Sequence, residues 1–363
     1  KTLLGTATPS LESYSNAVAG KYGYVSLTTR FGNVCMPEIE VVDIAELKRK
    51  KLMNGPFSPV LLREIRQALE RKEQVILFQN RRGFAPVVEC HVCGWTPQCP
   101  HCDVSLTFHK RSNSLTCHYC GFSTSVAQRC PQCDADRLSS KGYGTERIED
   151  VLASIFPDAR VARMDLDTTR SRSAYEGIIK GFQRGDTDIL IGTQMVTKGL
   201  DFRRVSVVGI LNASTMLNQP DFRSYERAYQ MMTQVAGRAG RSSAGNGQNV
   251  RPGRVILQVH DAKQPTVMQV VRGDFEGMFR TQMEERRLFM YPPLCRLVYV
   301  YIKHKDEIVL EHLAEELAAL LRQVFGHRVL GPDMPPIARV QTMYIRKVCL
   351  KLELTANMAE ARR

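Results

Sequence analysis

The sequence predicts an α/β protein: a parallel sheet with helices on both faces, interrupted by a cysteine-rich insertion and followed by a small α+β domain. Three observations carry that prediction. Between residues 59 and 259, short apolar runs alternate with amphipathic helical segments, the pattern of strands buried on both faces. Eight of the eleven cysteines lie between residues 90 and 133, as four C-x-x-C pairs. Beyond about residue 265 the alternation stops, and two long strand-like runs flank one long helical run.

The totals set the limits. A chain of 363 residues is long enough for two or three domains with their own cores. With 43% hydrophobic and 24% charged residues the composition is globular rather than disordered. A formal charge of +13 favours an acidic partner, nucleic acid being the commonest; the plain alternative is a basic protein with no such partner. No apolar run approaches the roughly 18 residues of a membrane helix, and no secretory signal is present. The opening "KTLLGTATPS" lacks an initiating Met and reads as a piece cut from something longer.

In chain order, "NAVAGKYGYVSLTTR" reads as a helix end and a strand, and "KRKKLMNGPFSP" as a charged, then Gly/Pro-rich linker. "SPVLLREIRQALERKEQ" is a helix with Ser58 at its N-cap and Pro59 at its first position. "VILFQ" follows as a strand. After the cysteines come helix "TERIEDVLASIF", strand "ARVARMD", helix "AYEGIIKGFQRG" and strands "DILIGTQM" and "VSVVGIL". Helix "YERAYQMMTQVAG" and strand "RVILQV" close the series, so ligands are expected at the carboxyl ends of these strands. The last region holds strand "RLVYVYIKH", helix "EIVLEHLAEELAALLRQVF" and strand "MYIRKVCLKLEL".

The cysteine spacing points to metal. A C-x-x-C turn presents two thiolates to one ion, and two turns complete a closed tetrahedral zinc site. Cys90, Cys93, Cys99, Cys102, Cys117, Cys120, Cys130 and Cys133 therefore make two structural sites. The segment between Cys102 and Cys117 suits a hairpin, which favours a nested pairing: Cys99/Cys102 with Cys117/Cys120, and Cys90/Cys93 with Cys130/Cys133. An interleaved pairing and an iron–sulfur cluster remain alternatives. His91, His101, His109 and His118 lie nearby but are not needed as ligands. Cys35, Cys295 and Cys349 read as buried small apolar residues. Asp165 and Asp167 in "DLDTT" read as turn-forming acids at a strand end rather than as a metal pair.

Three ordered motifs remain: "GTATPS" at 5–10, "GTQMVTKGLDF" at 192–202 and "QVAGRAGR" at 234–241. They resemble motifs of superfamily 2 helicases. With "NRRGFAPVVECHVCGW" running into the paired cysteines, and "GTE" and "DLDTT" after them, nearly the whole chain resembles the PriA family of bacterial primosomal replication-restart helicases. The resemblance implies a RecA-like sheet. It divides the chain into the end of a first helicase lobe with a linker (1–58), a second lobe (59–265), a zinc insertion within it (86–139) and a carboxy-terminal α+β domain (266–363).

The resemblance also implies site residues. Gln234, Arg238 and Arg241 would face a nucleotide held mainly by the first lobe, with Arg241 as the arginine finger, since phosphoryl transfer develops charge that a guanidinium stabilises. Gly237 and Gly240 would let the backbone turn there. Gly199 and Asp201 would approach the nucleotide, and Thr193 and Lys198 would contact DNA phosphate. Thr6 and Thr8 would donate hydroxyls between the lobes. No G-x-x-x-x-G-K-[ST] loop and no D-E-x-H occur in the chain, so this portion would not hydrolyse ATP by itself. The implied whole is a monomeric, cytoplasmic, nucleoid-associated 3′-to-5′ DNA helicase. It would use ATP with Mg2+, carry two Zn2+, and act on forked and single-stranded DNA with single-strand-binding protein and primosome proteins. The rival readings are a non-catalytic zinc-ribbon scaffold and another superfamily 2 translocase.

Overall fold

The computed structural model describes residues 2–27, 36–80, 87–90, 93, 95–109, 113–117, 119–136, 138–141, 144–165, 168–169, 171–194, 202, 204–219, 221–240, 251–357 and 359. The chain forms two compact units, Lys1–Phe84 with Tyr143–Met283, and Ala85–Gly142 with Glu284–Arg363.

Along the chain, α1 (Leu11–Val18) precedes β1 (Glu38–Asp43), α2 (Ile44–Arg49), α3 (Pro59–Glu70) and β2 (Gln74–Phe78). The cysteine block carries β3 (Val87–Cys90), β4 (Thr107–His109), β5 (Ser114–Thr116), β6 (Ser123–Ser125) and β7 (Leu138–Lys141). Then come α4 (Thr145–Ile155), β8 (Val161–Met164), α5 (Arg172–Arg184), β9 (Ile189–Gly192), β10 (Val205–Ile210), α6 (Ser214–Leu217), α7 (Ser224–Ala236) and β11 (Arg254–Val259). The chain continues with α8 (Pro265–Arg272), α9 (Phe275–Leu288), β12 (Cys295–His304), α10 (Glu307–Phe325), β13 (Val329–Asp333), β14 (Arg339–Val340) and β15 (Met343–Glu353).

The first unit is built on a six-stranded sheet in the order β1-β11-β10-β2-β9-β8, parallel at every pairing. Alternation along β2 sends Ile76 and Phe78 into one apolar cluster, with Leu190, Val208, Tyr229 and Met232. Val75 and Leu77 enter the other, with Leu61, Ile65, Ile148 and Leu152. Both faces are thus covered by helices, as the continuous apolar runs require. Phe78 stands opposite Ile210 and Gly192, and Gly192 opposite Met164, so four strands end at one level. The hydroxyl of Ser58 accepts from Leu61 N at 3.2 Å and Pro59 opens α3, as the sequence predicts. A side chain at Gly209 would meet Leu61 Cδ1 at 2.9 Å, so α3 sits tightly on β10.

Three features differ from the sequence reading. Residues 22–27, where a strand is expected, form none. β1, a strand the sequence reading does not assign, pairs with β11 as an edge strand of the sheet. Two further helices follow β11: α8 packs on α7, and Phe275, Met278 and Phe279 of α9 join the first apolar cluster. Edge pairing and helix docking are long-range choices that local periodicity does not encode.

The second unit holds an antiparallel sheet in the order β12-β15-β13. Its register runs from Cys295 opposite Glu353 to His304 opposite Tyr344. Helix α10, capped by Asp306, covers one face: Ala318 shares an apolar cluster with Val298, Val300, Val329, Val348 and Leu350. Cys295 and Cys349 are buried here, and burial pushes both thiols up, as small apolar residues would sit. In the same unit the cysteine block forms one three-stranded sheet, β4-β5-β6, and the pair β3-β7.

Candidate nucleotide-facing edge and metal centres

Helix α7 carries the third motif at its carboxyl end. Arg223, Glu226, Gln230 and Gln234 recur at three- and four-residue spacing, hence on one helical face. That face binds residues 8–12 in reverse order. Gln234 Nε2 donates to Thr8 Oγ1 at 2.9 Å, and Gln230 Nε2 donates to the Pro9 carbonyl at 3.1 Å. Leu11 N donates to Glu226 Oε1 at 2.9 Å, and Arg223 pairs with Glu12 at 2.7 Å. Glu226 is only 2% exposed, so its carboxylate serves the first turn of α1 away from solvent. The segment "GTATPS" therefore lies along the helix that carries "QVAG". Thr6 Oγ1 accepts from Thr8 N at 3.1 Å, and each threonine hydroxyl keeps its own O–H for donation. The sequence reading missed Arg223, Glu226 and Gln230; their shared spacing on an amphipathic helix was the available signal.

After α7 the chain turns sharply. Gly237 caps the helix in right-handed geometry, its N bonded to Thr233 O at 2.9 Å. Arg238, 8% exposed, follows with its N bonded to Val235 O at 3.0 Å. Gly240 has φ +69°, and a Cβ there would stand 2.5 Å from Gly253 N. Its own N donates to Val205 O at 2.9 Å. Gly240 is thus required by a backbone-to-backbone approach as well as by its dihedral. Arg241, Lys198, Gly199, Asp201 and Asp167 lie outside the described residues.

At the carboxyl edge of the sheet, Thr193 is buried just past β9, its N bonded to Met164 O at 3.3 Å. A cavity of about 90 Å3 beside it is lined by Asn80, Gln194, Met216, Gln219, Asp221 and Arg227, among others. Asn80 Oδ1 is buried there without a hydrogen-bond partner among the described residues. Asn80 was not singled out in the sequence, although it ends the strand run before "RRG". Asp165 is 1% exposed; its carboxylate accepts from Thr168 N at 3.0 Å and Thr145 Oγ1 at 2.5 Å. It ties the end of β8 to the start of α4, which is the turn-forming role rather than a metal-binding one.

In the second unit the eight cysteines gather into two clusters with the nested pairing: Cys90, Cys93, Cys130 and Cys133, and Cys99, Cys102, Cys117 and Cys120. Facing sulfurs stand 3.6 Å apart in Cys90–Cys133, Cys93–Cys130 and Cys99–Cys120. A tetrahedral zinc with bonds of about 2.3 Å sets its sulfurs about 3.8 Å apart, so both clusters fit that ion. Each knuckle is built the same way. The N–H groups of Cys90, Cys99, Cys117 and Cys130 donate to the carbonyls of Trp95, Val104, Phe122 and Ala135, at 2.8 to 2.9 Å. Burial, above all, pushes the Cys102 thiol up to about 12; a cation offsets that cost by holding thiolates. His101 packs edge-to-face on Phe122 at 5.5 Å. Its side chain is not a member of either cluster.

The inner cluster is also the core of its block, packed with Val88, Leu106, Leu115, Phe108 and Phe122. The outer one leaves Cys93 and Cys133 exposed. The inner site is the dry one.

Comparison with known proteins agrees with this arrangement. Residues 99–124 match the family model of the PriA DNA helicase Cys-rich region domain, and residues 143–243 match that of the helicase conserved C-terminal domain. The replication restart protein PriA of Bacillus subtilis is 40% identical over 362 residues, which is 98% of this chain and 44% of that protein. PriA of Haemophilus influenzae is 37% identical over 346 residues, 94% of this chain and 46% of that protein. The chain therefore spans about half the length of these relatives. Among solved structures, RecG bound to a three-way DNA junction aligns at TM-score 0.40 and 14% identity, covering 77% of this chain and 26% of that one, too distant to bear on function. On the relatives, the matched domains and the paired cysteines together, the chain belongs to the PriA family of replication restart proteins.

Proposed function

We propose that this chain supplies the second RecA-like lobe, the zinc module and the carboxy-terminal domain of an ATP-dependent 3′-to-5′ DNA helicase that restarts replication at stalled forks. The observation that carries the reading is the α7 face, where residues 8–12 bond to Arg223, Glu226, Gln230 and Gln234. One helix thereby joins the first motif to the turn that bears Arg238. A movement of residues 5–10 is felt at Arg238, which is the coupling a translocating enzyme needs.

In this reading Arg241 and Arg238 stabilise charge developing on the γ-phosphate of ATP held by another lobe, with Mg2+. Gly199 and Asp201 approach the same nucleotide, while Thr193 and Lys198 hold a DNA phosphate. Such backbone contacts read no base sequence and weaken with salt. The two clusters bind structural Zn2+. The whole enzyme works as a cytoplasmic monomer on forked and single-stranded DNA, alongside single-strand-binding protein and primosome proteins.

The test is Arg241→Ala in the full-length protein. ATP hydrolysis stimulated by forked DNA should fall about a thousandfold while fork binding persists. Unchanged turnover would refute the finger. Stimulation of the parent enzyme by RNA alone would place it in another translocase class, and no hydrolysis under any condition would favour a scaffold.

A further inference from the structure

The second unit contains a contact that neither its sheet nor its cysteine pairing requires. β14 and the start of β15 form a two-residue hairpin, with Arg339 opposite Tyr344 and Val340 opposite Met343. Gln341 and Thr342 at its tip have φ of 51° and 65°. Such a turn favours Asn or Gly at both positions; side chains persist at positive φ where surrounding contacts over-determine the backbone. Here the cysteine block supplies those contacts. Gln341 N donates to Cys102 Sγ at 3.2 Å. Thr342 N donates to the His101 carbonyl at 2.8 Å, and Asp103 N donates to the Arg339 carbonyl at 2.9 Å. Arg339 Nε pairs with Asp103 Oδ1 at 3.1 Å, and Val340 packs into the apolar cluster around the inner site.

We propose that the 339–344 hairpin is an outer-shell element of the inner metal site, so that loading of this site and docking of the hairpin stabilise each other. Four thiolates around one dication leave net negative charge, and an amide pointed at one sulfur reduces its cost. Groups that donate to metal ligands in this way alter metal affinity by about ten- to a hundredfold. Only a docked hairpin can present the Gln341 amide, because the donor is main chain and its placement follows from its neighbours on both sides. Linkage makes the effect reciprocal: the inner metal, by fixing Cys102 and His101, fixes the hairpin and the β15 strand that continues from it. The outer cluster, with Cys93 and Cys133 exposed, is expected to exchange its metal independently.

The experiment uses the full chain loaded with zinc and follows release to a chromogenic chelator, with the outer-site phase assigned from Cys133→Ser. Arg339→Asp should release the inner ion about tenfold faster and leave the outer phase unchanged. The charge-swapped pair Asp103→Arg with Arg339→Asp should restore the slow rate. Hydrogen exchange at residues 339–344 should rise when the inner ion is removed and stay low when only the outer one is lost. Wild-type release from Arg339→Asp, equal acceleration of both ions, or hairpin exchange indifferent to the inner ion would each overturn the proposal. Should Arg339→Asp fold poorly, the restored rate in the charge-swapped pair decides the matter.

Discussion

The six-stranded sheet and the cysteine block hold their backbones by opposite means. In the sheet, β2, β9 and β10 are buried almost throughout, and apolar clusters cover both faces. In the block, β4, β5 and β6 have three residues each, and the one apolar cluster among its described residues is assembled around Cys99, Cys102 and Cys117. Removing water from aliphatic side chains suffices for the first. The second is too small for that, and its two four-cysteine clusters suit bonds to metal instead. The contrast teaches where each part is vulnerable.

The largest effect should come from chelation. Binding of a structural zinc contributes about 10 kcal/mol or more to such domains, so metal removal should unfold residues 90–133 and leave the parallel sheet intact. Hydrogen exchange by segment checks this: fast exchange at residues 114–117 with continued protection at 74–78 is expected. Equal loss in both would show that the two regions share one folding unit.

Next comes Gly240→Val, aimed at the sheet. Its side chain would meet Gly253 at 2.5 Å and sit at φ +69°, a strain and overpacking cost of about 3 kcal/mol or more. Thermal unfolding should drop for the sheet while zinc content stays at two ions per chain. Loss of zinc in this variant would erase the distinction between the regions.

The smallest effect is electrostatic and also confined to the sheet unit. The hydrogen bonds from Arg160 hold the Asp188 carboxyl below the usual carboxylate range. An unfolded chain protonates this group near about pH 4, the folded chain only at lower pH. Its contribution is therefore complete above about pH 4 and is lost as pH falls through the depressed folded value. Asp188→Asn should flatten the acid limb of stability slightly, because the pair is partly exposed and solvent screens it. An unaltered acid limb would show that the pair contributes nothing.

Much of this was legible in residue order. Helix α3, with Ser58 and Pro59 at its start, and strands β2, β9, β10 and β11 follow from periodicity and capping. The spacing of the cysteine pairs pointed to the nested clusters, because a hairpin suits the segment between the inner pairs. Asp165 was readable as a turn former from its place after a strand. These are local properties, encoded within a few residues of where they act.

Other features could be decided only by tertiary structure. β1 joins the sheet by pairing with a strand more than two hundred positions away. Residues 8–12 lie along α7, and Gln341 reaches Cys102, across comparable separations. The motifs in the sequence name the chemistry, a metal cluster and a phosphate-facing arginine turn. Which backbone amide meets which sulfur, and which helix face receives the first motif, depends on how buried surfaces pack, and no local pattern of residues contains that information.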